Sequence, residues 1–428
     1  MTDHDARRRL LADEDDTEDL DAVDTPDAQS SRAPDYTETS DVDYKIATAF
    51  AIMGAAMLWP FNAFITANEF FGRMFRDNAQ ILQIYSLSIT SVFTVTNLMS
   101  TVYFTRTVRK ADLNARVSSA ALSTTALLAL LAVLTTASLK AVAYFVILLT
   151  IVATVGITTG GLQNGCFGLV GAYGPRYVQF IFIGQGIAGV TPALLSIAVA
   201  LIDRDPAKSA NRRAFAYFLS SSLVLASSYF AHLYLKSRLD QDSTPALSDD
   251  SDKEPELSRY KKFLRSYHSW TIFLIFVVTL SIFPSITASV TSVRDGKSAP
   301  KWLQPAVYIP LGFLLWNTGD LLGRIISALP AVTIEDPRLL FTASVLRILW
   351  IPMVYLCNVR GHGAILKSDA FFLVFMLLFG TSNGFVSSLT FAAAIKQARD
   401  DEKRDIGAFM TFMLCSGLVV GSILSFVF

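Results

Sequence analysis

Long apolar segments separated by short polar connections make up most of the sequence after residue 43. Each segment has about 20 residues or more, which is enough for a helix to cross the roughly 30 Å hydrocarbon core of a bilayer. We count eleven such segments, at about 46–70, 80–104, 117–138, 142–172, 177–203, 211–237, 266–293, 303–329, 337–359, 368–396 and 404–427. The pattern therefore predicts an all-α polytopic membrane protein with eleven transmembrane helices.

Two long polar segments divide the chain into four regions. Residues 1–43 are acidic and contain few apolar residues, a composition typical of a disordered tail. Residues 238–264 form the longest connection between spans, and we expect a flexible acidic loop there. This loop separates helices 1–6, at 44–237, from helices 7–11, at 265–428. Such a 6+5 arrangement suits a carrier in which one bundle rocks against the other.

Basic residues in the short connections indicate the orientation, because loops rich in Lys and Arg stay in the cytoplasm. With eleven spans, two such loops lie on the side of the amino terminus, so we expect the amino terminus and the acidic loop to be cytoplasmic. Ser248 and Ser251 lie among acids in that loop, and phosphorylation and an unmodified linker both remain open. The basic residues are Arg106, Arg109, Lys110 and Arg116 after span two and Lys396, Arg399, Lys403 and Arg404 after span ten.

Composition agrees with a membrane protein and argues against several other classes. Hydrophobic residues are 52% and charged residues 17%, against about 25% charged in soluble domains. The net charge is zero, so nothing points to nucleic acid. Cys166, Cys357 and Cys415 all lie in apolar segments, which is no disulfide framework. We find no metal-ligand spacing and expect neither an enzyme nor a metal or cofactor site.

The segment Leu311–Ser327 carries two charges inside an apolar helix. Asp320 and Arg324 are four residues apart, so they lie on one face and can pair, with Asn317 on the same face. A charge at mid-bilayer costs roughly 2.5–3.5 kcal/mol on insertion scales, so two charges persist only beside a polar interior. The pair either locks the helix structurally or lines a solute pathway, and we favour the pathway.

Other spans also carry polar and small residues at membrane depth. Pro60 removes a backbone hydrogen bond in span one, and Asn62 supplies polarity on the next turn, which favours a kink lining a cavity over a mere bend. Span four is long, and we expect its glycines to break the helix. Within it, Gly161 and Gly165 form a small-residue face for close helix contact. That packing does not explain Gln163, a polar amide between them.

Span five contains a GxGxxG pattern from Gly184 to Gly189. A dinucleotide site needs a preceding strand and a following acid, and this pattern lies inside an apolar segment instead. We therefore interpret Gly184 and Gly189 as contact points for a neighbouring helix, with Gln185 facing the interior. Polar groups thus recur in spans one, four, five and eight, and a further cluster occupies Gly380–Gly384 in span ten. Such a set can hydrogen-bond a neutral polar solute.

Together, these motifs resemble the equilibrative nucleoside transporter family, in a fungal-type form. The resemblance extends over most of the membrane part and also includes the long connection after the sixth span. The segments that carry it, in order along the chain, are Leu58–Thr66, Gln163–Gly171, Gly184–Gly189, Asn317–Arg324 and Ser382–Leu389.

The resemblance implies a major-facilitator-like fold and a carrier that moves purine and pyrimidine nucleosides by alternating access, with nucleobases as further candidate substrates. It implies that Asp320 and Arg324 engage the ribose hydroxyls and that Gln163 binds the base. A monomer in the plasma or vacuolar membrane is the corresponding expectation. The remaining implied residues line the apolar side of the pocket or hold the helices around it: Leu58, Phe61, Ile65, Asn62 and Asn317.

Two alternatives remain. An organic-cation carrier of the same family would need an uncompensated acid in its pocket, and Asp320 already has Arg324. A non-transporting scaffold or receptor would need neither the ion pair nor the buried amides. Because Asp320 is the only acid deep in a span and has this counter-charge, we also expect facilitated diffusion without proton coupling.

Overall fold

The computed structural model describes residues 42–108, 112–202, 206–241, 256–294, 300–361 and 363–425. Nearly all of the predicted tail lies outside these residues, as do Ser248 and Ser251. The described chain is helical, with α1 (Tyr44–Thr66), α2 (Asn68–Met74), α3 (Ala79–Arg106), α4 (Leu113–Leu134), α5 (Ala141–Tyr173), α6 (Arg176–Ile202), α7 (Pro206–Gln241), α8 (Glu256–Leu264), α9 (Tyr267–Ile282), α10 (Pro305–Ser327), α11 (Pro337–Leu346), α12 (Trp350–Val354), α13 (Asp369–Gln397) and α14 (Lys403–Leu424).

Polar residues at the helix starts fix where several long helices begin. The side chain of Asp43 accepts a hydrogen bond from the backbone N–H of Lys45 at 2.8 Å. Asp112 does the same for Asn114, and Ser266 and Ser368 cap α9 and α13. Such caps satisfy backbone donors that have no partner inside the helix. Short polar connections are therefore enough to separate the long apolar helices.

Among the residues that the structure describes, ten helical segments are long and apolar enough to cross a membrane. They confirm the prediction of an all-α polytopic membrane protein. They correspond to all of the predicted spans except the eighth. The eighth forms α10, a helix of 23 residues that carries Asp320 and Arg324 and packs between α6 and α13.

Three predicted spans differ from the helices observed. The first was expected to reach residue 70, but α1 ends at Thr66 and α2 follows as a separate helix. The fourth was expected to be broken by glycines, yet α5 runs unbroken over 33 residues because its glycines pack against other helices. The ninth is interrupted by a 3-10 segment, Arg347–Leu349, between α11 and α12.

Both ends of the predicted loop 238–264 are helical. Helix α7 continues to Gln241, and residues 256–264 form α8, while residues 242–255 lie outside the described part. The sequence of α8 is mostly polar, but it carries apolar residues at helical spacing. Phe263 is buried, and its ring centroid lies 5.5 Å from that of Phe409 on α14. We name this side of the bundle the α8 end.

The two halves of the chain, α1–α7 and α9–α14, contact each other from the middle of the bundle to the α8 end. Thr105 donates to the carbonyl oxygen of Ala408 at 3.3 Å, and Ser327 donates to the side chain of Gln179 at 2.9 Å. Helix α8 joins both halves, because Tyr260 donates to the carbonyl oxygen of Thr105 at 2.8 Å. It is held on the other half by ion pairs from Arg259 to Asp405 and from Lys262 to Glu402.

Candidate functional site

Helices α10 and α13 approach each other closely because glycines from both helices lie at their contact. A Cβ atom at Gly319 or Gly323 would overlap the backbone of α13, and one at Gly380 or Gly384 would overlap that of α10. At Gly384 the overlap would be with the carbonyl oxygen of Asp320. The glycines therefore bring the acidic residue of α10 against the polar segment of α13.

Asp320 and Arg324 form a buried ion pair at this contact. The Nε of Arg324 lies 2.7 Å from Oδ2 of Asp320, and the two residues are 4% and 3% exposed. The other carboxylate oxygen, Oδ1, accepts a hydrogen bond from the side-chain amide of Asn383 at 2.7 Å. Both carboxylate oxygens are thus bound, and geometry of this kind offsets much of the desolvation of two charges.

The same pair is contacted from the other half of the chain. Nη1 of Arg324 donates to Oε1 of Gln185 on α6 at 3.3 Å, and its guanidinium carbon lies 4.9 Å from the ring centroid of Phe182. Gln185 is 8% exposed and faces the interior, in agreement with its sequence-based interpretation. Within the described residues, Nη2 of Arg324 has no hydrogen-bond partner. The pair therefore joins both halves and keeps a donor available.

A second buried arginine belongs to this network, and the sequence analysis missed it. Arg347 is 2% exposed and donates to Oγ1 of Thr279 at 2.9 Å and to Oδ1 of Asn383 at 3.4 Å. Through Asn383 it connects to Asp320. The signal was present, since an arginine in the middle of the predicted ninth span follows the same rule that singled out Arg324.

Gln163 lies in a separate polar cluster. It is half-buried, and its Oε1 is 3.4 Å from Nδ2 of Asn97 and 3.9 Å from the sulfur of Cys415. The Cys415 thiol also donates to Asn97 at 3.2 Å. These long contacts leave the amide free to exchange partners. No described hydrogen bond joins this cluster to Asp320 and Arg324.

Asn62 and Asn317 both contact α6 at one level. Nδ2 of Asn62 donates to the carbonyl oxygen of Ala188 at 2.8 Å, and the side chain of Asn317 lies directly over Gly189. Nδ2 of Asn317 also donates to the carbonyl oxygen of Phe313 within α10 at 2.8 Å. Asn62 thus joins α1 to α6 by a hydrogen bond, and Asn317 packs α10 against the next residue of α6.

The apolar residues predicted on α1 are half-buried. Phe61 packs on the ring of Phe93 with centroids 5.1 Å apart, and Leu58 and Ile65 are partly exposed on either side of it along α1. Pro60 is buried, and the helix continues through it. These side chains keep enough exposed surface to contact a small molecule.

Several glycines of spans four and five lie close to neighbouring helices. A Cβ at Gly161 would lie 3.1 Å from the ring of Phe104, and one at Gly165 would lie 2.6 Å from a methyl group of Val117. Gly184 lies against the backbone of α1. Close helix approach at these positions leaves little space for any larger side chain.

A groove lies elsewhere, between α1, α6 and α7 and within the amino-terminal half. It is lined by Trp59, Ala63, Thr66, Thr191, Pro192, Leu195, Tyr217, Ser220 and Ser221. None of the predicted ligand-binding residues lines it. The buried pair, with a carboxylate acceptor and a guanidinium donor one helical turn apart, has the better chemistry for a polar solute, because it can accept from one hydroxyl and donate to another.

These observations define a polytopic helical membrane protein with a polar network between its two halves. A family model described as "Nucleoside transporter" matches residues 148–241 and 241–428. Equilibrative nucleoside transporter 2 of Mus musculus is 30% identical over 452 residues, covering 91% of this chain and 97% of that protein. The nucleoside transporter FUN26 of Saccharomyces cerevisiae is 28% identical, covering 89% and 83%.

The fold is similar to that of FucP, the fucose:proton symporter of E. coli and a major facilitator superfamily transporter. The TM-score is 0.53 at 13% identity, with 90% of this chain and 92% of that chain covered. The fold is therefore similar to that of this major facilitator superfamily transporter. The chain belongs to the equilibrative nucleoside transporter family, whose members matched here are named as transporters and not as enzymes. The family predicted from the motifs is confirmed.

Proposed function

We propose that this protein moves nucleosides across a membrane by alternating access. The observation that carries the proposal is the buried pair Asp320–Arg324, which α10 supplies and which α6 and α13 contact from the two halves. A ligand bound at this junction contacts both halves, so a movement of one half against the other can expose it to one side of the membrane and then to the other. Family membership agrees, since the relatives are named as nucleoside transporters.

The proposal includes eleven spans, with α10 as the eighth. Its 23 residues correspond to about 34 Å at 1.5 Å per residue, enough to cross the hydrocarbon core. Its two charges lower its hydropathy, and both are buried against protein. With eleven spans, the amino terminus and the α8 end face the cytoplasm, because the basic connections then lie on that side. The spans divide into helices 1–6 and 7–11.

The contacts between the halves support a state that is closed toward the cytoplasm. Hydrogen bonds join the halves at Thr105, Gln179 and Tyr260, all at the α8 end. Opening on that side requires these bonds to break while contacts form at the opposite end. The glycine-mediated contact of α10 with α13 lies inside one half and stays intact during such a movement.

For the ligand, we propose the following roles. Asp320 accepts from a ribose hydroxyl, and Arg324 donates to another through its available Nη2. Gln163 releases its long contacts and hydrogen-bonds the base. The apolar face of the base packs on Leu58, Phe61 and Ile65, while Asn62 and Asn317 hold the helices through α6.

Transport is expected to be facilitated diffusion by a monomer in the plasma or vacuolar membrane. An organic-cation carrier is disfavoured, because Asp320 is paired and the network around it holds two guanidinium groups. A scaffold or receptor has no need for a buried ion pair that both halves contact.

Uptake of radiolabelled uridine and adenosine into vesicles with purified protein tests the proposal. We expect saturable uptake, competed by unlabelled nucleosides and not by organic cations. A matched preparation of Asp320→Asn, which keeps the shape of the side chain but not its charge, serves as the control and should be inactive. Uptake no faster than in protein-free vesicles would contradict the proposal.

A further inference from the structure

Arg347 lies deep in the carboxyl-terminal half, at the start of the 3-10 segment between α11 and α12. A mid-helix 3-10 segment changes the direction of the following side chains, and such breaks often occur at functional positions. An arginine in a membrane span persists only where its charge and its donors find partners. The hydrogen-bond partners of Arg347 therefore indicate its role.

The guanidinium of Arg347 is held by neutral groups. Nη1 donates to the carbonyl oxygen of Phe379 at 3.3 Å and to the hydroxyl of Ser382, and the guanidinium carbon lies 5.0 Å from the ring centroid of Phe379. Nη2 donates to Thr279 and Asn383. Within the described residues, no carboxylate lies within ion-pair distance of Arg347, and its Nε has no hydrogen-bond partner. Its charge is not neutralised by direct contact.

The contact of Arg347 with Asn383 affects which way the side-chain amide of Asn383 is oriented. Oδ1 of Asn383 accepts from Thr279 at 2.7 Å and from Arg347, so the amide nitrogen must face Asp320. Thr279 alone does not enforce this orientation, because its hydroxyl also lies 2.8 Å from the carbonyl oxygen of Ile275 and has only one proton to donate. A guanidinium can only donate. A carboxylate can only accept, so Asp320 on one side and Arg347 on the other together keep the amide from flipping.

The second consequence concerns charge. The network holds one carboxylate, Asp320, and two guanidinium groups, Arg324 and Arg347, so it carries a formal charge of +1. A ligand that accepts from Nη2 of Arg324 shares the guanidinium charge that also holds Asp320 through Nε. Arg347 stays fixed behind Asn383 and continues to act on the carboxylate through a low-dielectric interior.

We propose that Arg347 is a positioning residue for ligand binding. Together with Asp320 it orients Asn383, which holds Oδ1 of Asp320, and it supplies a second positive charge that acts on Asp320 while Arg324 also binds the ligand. The inference rests on the proposed role of Asp320 at the ribose. It assigns a role in sugar recognition to a residue that does not touch the sugar.

The test compares uridine with 2′,3′-dideoxyuridine, which lacks the 2′- and 3′-hydroxyls of the ribose, in uptake by Arg347→Gln. We expect the Michaelis constant for uridine to rise about tenfold, or roughly 1.4 kcal/mol, and that for the dideoxy compound to stay at its wild-type value. Ser344→Ala is the matched control, since it removes a buried hydroxyl one turn before Arg347 that donates within α11 to the carbonyl oxygen of Phe341 and belongs to no part of the network. Its Michaelis constants should stay close to wild type.

Arg347→Lys carries the test if the glutamine variant does not fold. It keeps the charge but cannot donate to Ser382 and Asn383 with two parallel N–H groups, so a smaller rise, again confined to uridine, is expected. An equal rise for both compounds, or none for either, overturns the positioning role while leaving nucleoside transport intact. Wild-type protein that takes up neither compound overturns the proposed function, and with it the inference.

Discussion

Replacing Asp320 by alanine should abolish uptake and destabilise the fold. Two interactions at 2.7 Å are lost, one with Nε of Arg324 and one with Nδ2 of Asn383. Removing one partner of a buried pair costs roughly 3–5 kcal/mol. Leaving an amide donor unsatisfied costs about 1–3 kcal/mol. Because these estimates overlap, we expect a total loss of about 4 kcal/mol, a large part of the stability typical of folded proteins.

The double variant Asp320→Ala with Arg324→Leu separates folding from transport. It removes the uncompensated guanidinium, so most of the stability should return. A deficit of about 1–3 kcal/mol should remain, because Asn383 still lacks an acceptor and Arg347 has lost its nearby carboxylate. Uptake should stay absent, since the groups proposed to bind the ribose are gone.

The assay measures both properties on the same preparations. The amount of folded protein that survives heating in detergent reports stability, and uridine uptake into vesicles, normalised to folded protein, reports transport. The single variant should be less heat-resistant than the double variant, and neither should transport. If the single variant is as heat-resistant as wild type, the account of the buried pair is wrong. A double variant that transports at the normal rate would show that the pair does not belong to the pathway.

Three further predictions follow from other parts of the structure. Gln163→Ala should weaken affinity by roughly 0.5–1.5 kcal/mol, because the hydrogen bond to the base is lost, and should raise the Michaelis constant at normal expression. The control Gln397→Ala, which removes an amide at the α8 end, should leave the Michaelis constant unchanged. Equal competition by modified bases in Gln163→Ala and wild type would count against the role of Gln163. Gly384→Ala should lower stability by about 1–3 kcal/mol, because the new Cβ overlaps the backbone of Asp320. In Gly72→Ala the new Cβ contacts only the side chain of Tyr85, so the loss of stability should be small. Equal heat resistance of the two variants would refute the packing argument. An inward proton gradient should drive no net accumulation of nucleoside, and uphill uptake that a protonophore abolishes would identify Asp320 as the first candidate for a proton carrier.

Local sequence rules predicted much of the fold because apolar length is a strong signal in membranes. Ten predicted spans correspond to helices that can cross a membrane. The errors have physical causes. Glycines in span four suggested a break, but they pack against Phe104 and Val117 and leave the helix continuous. The helical structure of α8 could not be predicted from its polar sequence, because it depends on contacts with Phe409 and Asp405, which are distant in sequence.

The candidate site was predictable to the extent that it lies on one helix. Asp320 and Arg324 are paired at the expected i, i+4 spacing. Asn383 was visible only as part of a polar cluster, and its partner could not be inferred from spacing. Arg347 satisfied the same test of charge within an apolar span, but its link to Asp320 runs through Asn383 and exists only in the folded bundle.

Counterflow measures the central claim most directly. Vesicles containing purified protein are loaded with unlabelled uridine and diluted into a trace of labelled uridine without any ion gradient. A carrier that alternates between two faces should accumulate label transiently above the outside concentration and then return to equilibrium, and Asp320→Asn should show no such overshoot. Label that never enters faster than into empty vesicles, or that enters wild-type vesicles without an overshoot, would contradict alternating-access transport of nucleosides by this protein.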